Sequence, residues 1–496
     1  MATLTFGAFS IDRRSWSLLR EGTPIPLSPK LVQVLACLAE ARGALITRDL
    51  LLERFWPDVI VTDNTLTRAV ADIRKALGDE ADTPQFIQTQ ARRGYRFVAA
   101  VADDAGAPDV SPDGVAPVAD GLRGLEPFVA WEQGRAMLES LQVSRLPQAV
   151  EAFSRAVTGA PHYAAAYAGL ANAHIFRFEA TRIDNQPDAS ALTLAVGAAL
   201  RATALDPTLG EGWGALGHAR SSEGRFDDAR AALGQALSLE PRNWRHHYRL
   251  ALATWGESRL RAVERAEALL PGFPGTQLQA AMVFVARQAL GFAAELAHRG
   301  AAAQEAQSLR TNYPATGLLW IRGLIAYGTG DVSTACDLFR AEEAFAQTRH
   351  SVYARESRIV ASESLGFALL GECRYEAARE VFGQVLGESA NRARARLGLI
   401  LAQSAGGPTW ADADAVVSAC AELELSGKHV EQALVLAAAA AWRGESAVAL
   451  QHAERVFSLT SADASGWNLP VDPIFAPLRM ADGYARLAAR LAARAA

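Results

Sequence analysis

The sequence predicts a mainly α protein: a small amino-terminal α+β head with an antiparallel sheet, followed by an all-α array of repeated helical hairpins. Three observations carry this. The first hundred residues alternate short β-type runs with helical stripes and close on an arginine-bearing ribbon. The remainder is rich in Ala, Leu and Arg at helical spacing, and it repeats itself, with one 34-residue period running from Pro207 to Pro241. At 496 residues the chain is too long for one domain, and the expected divisions are 1–101, 102–121 and 122–496.

In the head, Leu4 to Ile11 and Ser15 to Arg20 read as antiparallel strands around a turn at Asp12 to Arg14, with a further short strand at Pro24 to Leu27. Ser28-Pro29 has the cap and first-turn chemistry of a helix start, and Leu31, Val34, Leu35 and Leu38 then form an apolar stripe. Thr47 opens a second short helix through Leu50, Leu51 and Phe55.

The third helix carries the function. Leu66, Val70, Ile73 and Leu77 share one stripe, while Asn64, Arg68, Ala71, Asp72 and Lys75 fall opposite. Thr62 or Asp63 can cap its start, and Gly78 suits the left-handed residue that ends it. About four turns of helix with short polar and basic side chains fit a DNA major groove. Phe86 to Gln90, a turn at Ala91 to Gly94, and Tyr95 to Ala99 then form a ribbon carrying Arg92, Arg93 and Arg96. Arginine presents a planar fork to phosphate and enters narrow minor grooves. A merely solvated charge cluster is the alternative for Arg92 and Arg93, and Arg96 could equally brace the sheet.

These landmarks, LSPKLVQVLACLAEARGALITRDLLLERFWP, NTLTRAVADIRKALGD and IQTQARRGYRF, resemble the winged-helix effector domain of the OmpR-type transcription regulators over residues 3 to 101. The resemblance implies double-stranded DNA as partner, with the third helix in the major groove and the wing in the adjacent minor groove. Carried over by position, Asn64, Thr65, Arg68, Asp72, Arg74 and Lys75 lie on or beside the groove-facing surface, and Thr89, Arg92 and Arg93 lie on the wing. Trp56, Pro57, Asp58 and Val59, in the loop running to Val61, would face RNA polymerase. Two departures stand out. Asp72 occupies a place where several relatives carry a basic residue, and an intrahelical pair with Arg68 or Lys75 is expected to offset its charge. The wing reads ARRG where many relatives read RGxG, so either Arg92 or Arg93 is the minor-groove arginine.

Residues 1–101 hold 13 Lys+Arg against 11 Asp+Glu, so the rest of a chain with net charge −5 carries −7. The acidic remainder should avoid DNA and meet proteins or small ligands instead. Residues 102–121, rich in Ala, Asp, Pro and Gly, read as a flexible linker. No run approaches the roughly 18 apolar residues a membrane span needs, and Met1 to Ser10 lacks the basic start and apolar core of a signal peptide. The first strand begins at once, so no receiver domain is expected ahead of it. Four scattered cysteines, Cys37, Cys336, Cys373 and Cys420, argue against a zinc cluster or disulfide framework and for a reducing cytoplasm, each as a small core residue.

Beyond the linker, Trp213, Leu216, Gly217, Ala229, Leu233, Ala236 and Pro241 stand at the offsets of a tetratricopeptide repeat. Copies recur at Ala149/Phe153/Ala156/Pro161, at Trp320/Gly323/Ala335/Phe339 and at Leu365/Gly366/Ala378/Phe382, and more weakly at Ala449/Ala453. An extension is expected near Arg177 to Ala189, residues 255 to 316 match poorly though helical, and VDPIFAPLR reads as a cap. Stacked hairpins should offer a concave surface to a protein or ligand. His246-His247 reads as a repeat-helix surface rather than a metal site. With no phosphate loop, GxSxG or HExxH, no enzyme, cofactor or metal is expected. The favoured reading is a sequence-specific transcription regulator whose repeats receive a signal. The alternative is a repeat adaptor or scaffold with a vestigial winged helix. Oligomeric state is not legible in the sequence.

Overall fold

The computed structural model describes residues 3–12, 16–25, 27–55, 63–81, 83–90, 93–103, 126–184, 186–307, 317–403, 413–460 and 463–496. Backbone contacts divide the chain into two compact units: residues 1–137, 147–170 and 204–206 form one, and residues 138–146, 171–203 and 207–496 the other.

The first unit opens with strands β1 (Thr3–Phe6), β2 (Phe9–Asp12), β3 (Ser17–Arg20) and β4 (Thr23–Ile25). The single strand expected from Leu4 to Ile11 is thus two. Gly7, at φ +56°, turns the chain between Phe6 and Phe9, and β1 pairs β2 antiparallel. Helix α1 (Pro29–Glu40) starts as expected, with the Ser28 hydroxyl accepting from the Leu31 amide at 3.4 Å. Strand β5 (Leu45–Thr47), too short to show periodicity, precedes α2 (Arg48–Phe55) and α3 (Asp63–Leu77). Strands β6 (Ile87–Gln90) and β7 (Gly94–Phe97) follow, and β5-β7-β6 form a second, three-stranded sheet. Strand β8 (Ala102–Asp103) pairs β1, so the first sheet reaches two residues past position 101. Residues 104–121 of the expected linker lie outside the described residues.

The core of this unit includes Leu4, Ile11, Leu35, Leu38, Leu66, Ile73 and Phe97. It continues into Phe128 of helix α4 (Glu126–Glu139), Ala156 of α5 (Leu146–Gly159), and Tyr163 and Ala166 at the start of α6 (Ala164–Glu179). The Phe55 and Phe128 rings lie 6.4 Å apart, and Lys30 stands 3.8 Å from Glu132. Burial, then the nearby Glu132 charge, holds the Tyr163 hydroxyl well above its ordinary range.

The second unit is helical. Helix α7 (Ala189–Leu205) is followed by hairpins α8/α9 (Gly210–Ser222, Phe226–Leu239), α10/α11 (Trp244–Leu252, Gly256–Leu269), α12/α13 (Pro274–Ala286, Leu290–Gln307) and α14/α15 (Leu318–Gly328, Val332–Gln347). Then come α16/α17 (Ala354–Gly371, Tyr375–Glu388), α18/α19 (Ala393–Gln403, Ala413–Leu425) and α20/α21 (His429–Trp442, Ser446–Leu459). Within the weakly matching stretch 255–316, residues 256–307 therefore form helices paired like their neighbours, although the signature residues differ.

Close approach is set by glycine. A Cβ on Gly366 or Gly398 would lie 2.5 or 2.2 Å from the Phe382 ring, which sits in the slot the two glycines leave. Gly217 does the same for Leu233. Six three-residue connections (223–225, 287–289, 329–331, 372–374, 426–428 and 443–445) place their middle residue at positive φ. Four of these are glycine; Gln288 and Cys373 are not. Cys373 is thereby an exposed turn residue, correcting its expected place in the core, whereas Cys37, Cys336 and Cys420 are buried.

The extension expected near Arg177 to Ala189 falls in the connection between α6 and α7, whose residues 182–184 fold against the array. Arg355 grips Asp184 at 2.7 and 3.0 Å, Arg392 donates to the Ile183 carbonyl at 3.2 Å, and Lys428 to the Arg182 carbonyl at 3.0 Å. The VDPIFAPLR segment is also no simple cap. Ile474 and Phe475 are buried against α16 and α20, where the Trp442 indole donates to the Ile474 carbonyl at 2.9 Å. Helix α23 (Tyr484–Ala495), after the short α22 (Ala476–Arg479), packs on α11, α12 and α21.

A polar network crosses α6, α8 and α10. Arg249 donates to Asn172 at 3.0 Å and to Glu211 at 2.9 Å. His246, expected at a surface, is fully buried with Nε2 at 3.0 Å from Glu240; His247 is half-buried. Burial, then the charges of Arg249 and Arg182, pushes His218 down to about 3 against the pull of Glu211. Burial, then Arg177, pushes His174 down to about 4. Both folded values lie below the unfolded value of 6.5, so between these values the unfolded chain binds more protons and stability falls as pH falls. His218 alone should remove on the order of 2 kcal/mol between about pH 7 and 5. Urea unfolding across that range should show a shallower acid slope for His218→Gln; equal slopes would refute the assignment.

Candidate nucleic-acid interface

Helix α3 shows the expected two faces. Leu66, Val70, Ile73 and Leu77 are buried, while Arg68, Ala71, Asp72 and Lys75 are exposed. Arg68 and Lys75 lie two turns apart, about 10 Å along the axis. Gly78 ends the helix at φ +67°. Asn64 and Thr65 sit in the first turn, with side chains outside the described set. Asp72 makes no ion pair with Arg68 or Lys75, so the expected intrahelical pair is absent and its carboxylate stands on the open face.

Arg74 differs most from expectation. Its guanidinium turns off the open face into the wing, donating to the Ile87 carbonyl and the Thr89 hydroxyl, each at 2.8 Å. Its Nε lies 4.0 Å from Asp79, and its side chain is only 13% exposed. At position 74, three residues before the last helical residue, a long side chain reaches β6 rather than solvent. Thr89 is exposed on β6 and takes the bond from Arg74.

Three positioning residues escaped the sequence reading. Asp79, directly after the helix-ending glycine, is buried and accepts from the amides of Gln85 (2.6 Å), Phe86 (3.2 Å) and Ile87 (2.8 Å). It thus fixes the entry of the wing to the exit of α3. Arg48 donates to Tyr95 at 3.3 Å and to Thr67 at 3.1 Å, tying α2, β7 and α3 together. Gly94 lets β7 approach β5, since a Cβ there would stand 1.9 Å from the Ile46 carbonyl oxygen. The signal for Asp79 was its place between a helix stop and a strand. Arg48 offered none.

At the wing tip, the Arg93 amide donates to the Gln90 carbonyl at 3.0 Å, closing the turn, and the Arg93 side chain is exposed. Arg92 and the loop residues Trp56, Pro57, Asp58 and Val59 lie outside the described residues. Arg96 is half-buried on the central strand β7. The unit thus offers one helix face with two exposed cations, braced to a ribbon with a third.

Residues 22–97 match the family described as "Transcriptional regulatory protein, C terminal". This stretch is an OmpR-type winged-helix domain, similar to the corresponding part of named transcription regulators. The chain is 34% identical over 83 residues to the transcriptional activator CadC of Escherichia coli K12, covering 16% of each protein. It is 35% identical over 81 residues to the transcriptional regulator HilA of Salmonella typhimurium, covering 16% of this chain and 14% of that one. Among solved structures, the Klebsiella pneumoniae RstA DNA-binding domain in complex with the RstA box is 31% identical. That match covers 19% of this chain and 96% of the other, with a TM-score of 0.18. The chain thus spans about a sixth of the length of these two curated relatives. Among the described residues, no helix is long and apolar enough to cross a membrane.

Proposed function

We propose that the protein is a cytoplasmic, non-enzymatic transcription regulator that binds specific double-stranded DNA through α3 and the wing. The observation that carries this is the exposed Arg68–Lys75 face of α3 on a domain of OmpR type. An α-helix of this length fits the major groove, where an arginine fork reads guanine O6 and N7 and a lysine holds phosphate. In this reading Asn64, Thr65, Arg68, Asp72 and Lys75 meet the major groove. Arg92 or Arg93 enters the minor groove, Arg74 and Thr89 hold the wing in place, and residues 56–59 meet RNA polymerase. Asp72, unpaired with its neighbours, suits a cytosine amino group. Residues 1–101 act as head, 102–121 as linker and 122–496 as the array that receives a protein or small-ligand signal.

Occupancy mapping of tagged protein across the genome should reveal a recurrent site, and Arg68→Ala should weaken binding to that site by about 1 to 3 kcal/mol relative to unrelated DNA. Equal weakening on all sequences, with a shallower salt dependence, would reduce Arg68 to a phosphate contact. Absence of any preferred site would overturn base reading and leave the adaptor with a vestigial head.

A further inference from the structure

Two cavities lie where the chain's own segments 182–183, 463–468 and 474–475 meet the array helices. In the first, of about 420 Å³, the lining arginines are paired: Arg182 with Glu179 and Glu356, Arg392 with Glu431, Arg394 with Asp472. The second, of about 360 Å³, is different in kind. Its walls come from the α9 start, the α10–α11 connection, α20 and the 463–468 segment, and they are largely apolar: Phe226, Leu252, Val430, Leu434 and Trp467. Into this lining α11 projects Arg259, which is 4% exposed.

Arg259 has no carboxylate of its own among the described residues. Its Nε donates to the Thr254 carbonyl at 2.9 Å, but Nη1 is buried without an acceptor. Asp463, on the same wall, is engaged with the Ser465 amide at 3.0 Å and with Arg494 at 3.4 Å. The guanidinium lies 4.7 Å from the centre of the buried Trp255 ring, whose indole N–H also lacks an acceptor. One orphan cationic donor therefore stands in the wall of an apolar cavity. Burial pushes Arg259 down to about 10, the mark of a charge with too little compensation. A buried donor or charge without a partner is costly, and replacing it by an apolar side chain of similar volume is often neutral or stabilising.

We propose that this cavity binds a small organic monocarboxylate with a ring-sized apolar body, the carboxylate taken by Arg259, the body lying against Leu434 and Trp467. One unpaired guanidinium matches one negative charge; a phosphate dianion would call for more donors. The volume falls in the range of small-ligand sites. The site deepens the reading of the array as the signal-receiving part, and rests on that reading for what its occupation does.

Titrating the full chain by calorimetry with phenylacetate, its neutral isostere phenylacetamide, and inorganic phosphate tests this. Phenylacetate should bind at one site with a Kd below about 1 mM, and phenylacetamide at least about tenfold more weakly. Arg259→Met should abolish binding while leaving Tm equal or higher, a combination that a purely structural arginine would not give. Ala464→Phe, which fills the cavity but keeps Arg259, should abolish binding too. Equal binding of the amide, equal binding of phosphate, binding that survives both variants, or no binding at all would each overturn the site. None of these outcomes depends on DNA. Phenylacetate binding as stated, with operator affinity unchanged by it, would count against the receiver reading and leave the site standing.

Discussion

Asp79→Ala should cost the head about 2 to 4 kcal/mol of stability and loosen its grip on DNA without touching any group that faces the duplex. The carboxylate is buried and accepts from three consecutive amides, those of Gln85, Phe86 and Ile87. Its removal leaves three donors short of an acceptor and takes the nearby negative charge from Arg74. Asp79→Asn should fare little better, because an amide nitrogen placed at Oδ2 would meet the Ile87 N–H donor to donor. With the start of β6 untied, Arg74 keeps its bonds to Ile87 and Thr89 but the ribbon loses its fixed angle to α3. Operator affinity measured below the variant's Tm should fall at least about tenfold, and the slope of log affinity against log salt should become shallower as a wing phosphate contact is lost. Lowered Tm with unchanged affinity and salt slope would show that the wing takes no part in binding.

That residue also marks the limit of what the sequence discloses. The stripe of α3, its glycine stop and the two-stranded wing were legible because each is set by local periodicity or backbone preference. Tetratricopeptide hairpins were legible where Gly217, Gly323 and Gly366 meet Leu233, Phe339 and Phe382, a steric pairing repeated at fixed spacing. Arg74 and Arg68 could not be told apart by their position near the groove face, since only the folded wing supplies the carbonyl and hydroxyl that draw Arg74 inward. Local reading likewise joined β1 and β2, because an apolar run through Gly7 has the composition of one strand. The folding of 182–184 onto the array is more remote still. Its bonds join residues 171 to 246 positions apart, and no periodic signal announces such a contact.

Breaking the anchor of that segment should give the largest loss in the array. Arg392 is 5% exposed at its side chain and holds Glu363 through two bonds of 2.8 and 3.1 Å, Glu431 at 2.5 Å and the Ile183 carbonyl at 3.2 Å. Burial works against its charge, but Glu363 and Glu431 outweigh that and raise its pKa above the ordinary arginine range. Arg392→Met would strand the fully buried Glu363, with Arg394 at 3.6 Å as the remaining cation in contact, and uncompensated burial of this kind costs about 3 to 5 kcal/mol. Arg392→Met/Glu363→Met should recover part of the loss, because two apolar side chains need no mutual compensation. The same single change frees the Ile183 carbonyl, so trypsin should cut after Arg182 faster in Arg392→Met than in the parent protein. If both the urea midpoint and the cleavage rate match the parent, the pair does not hold the segment. If stability alone falls, the pair holds the array but Lys428 and Arg355 suffice for 182–184.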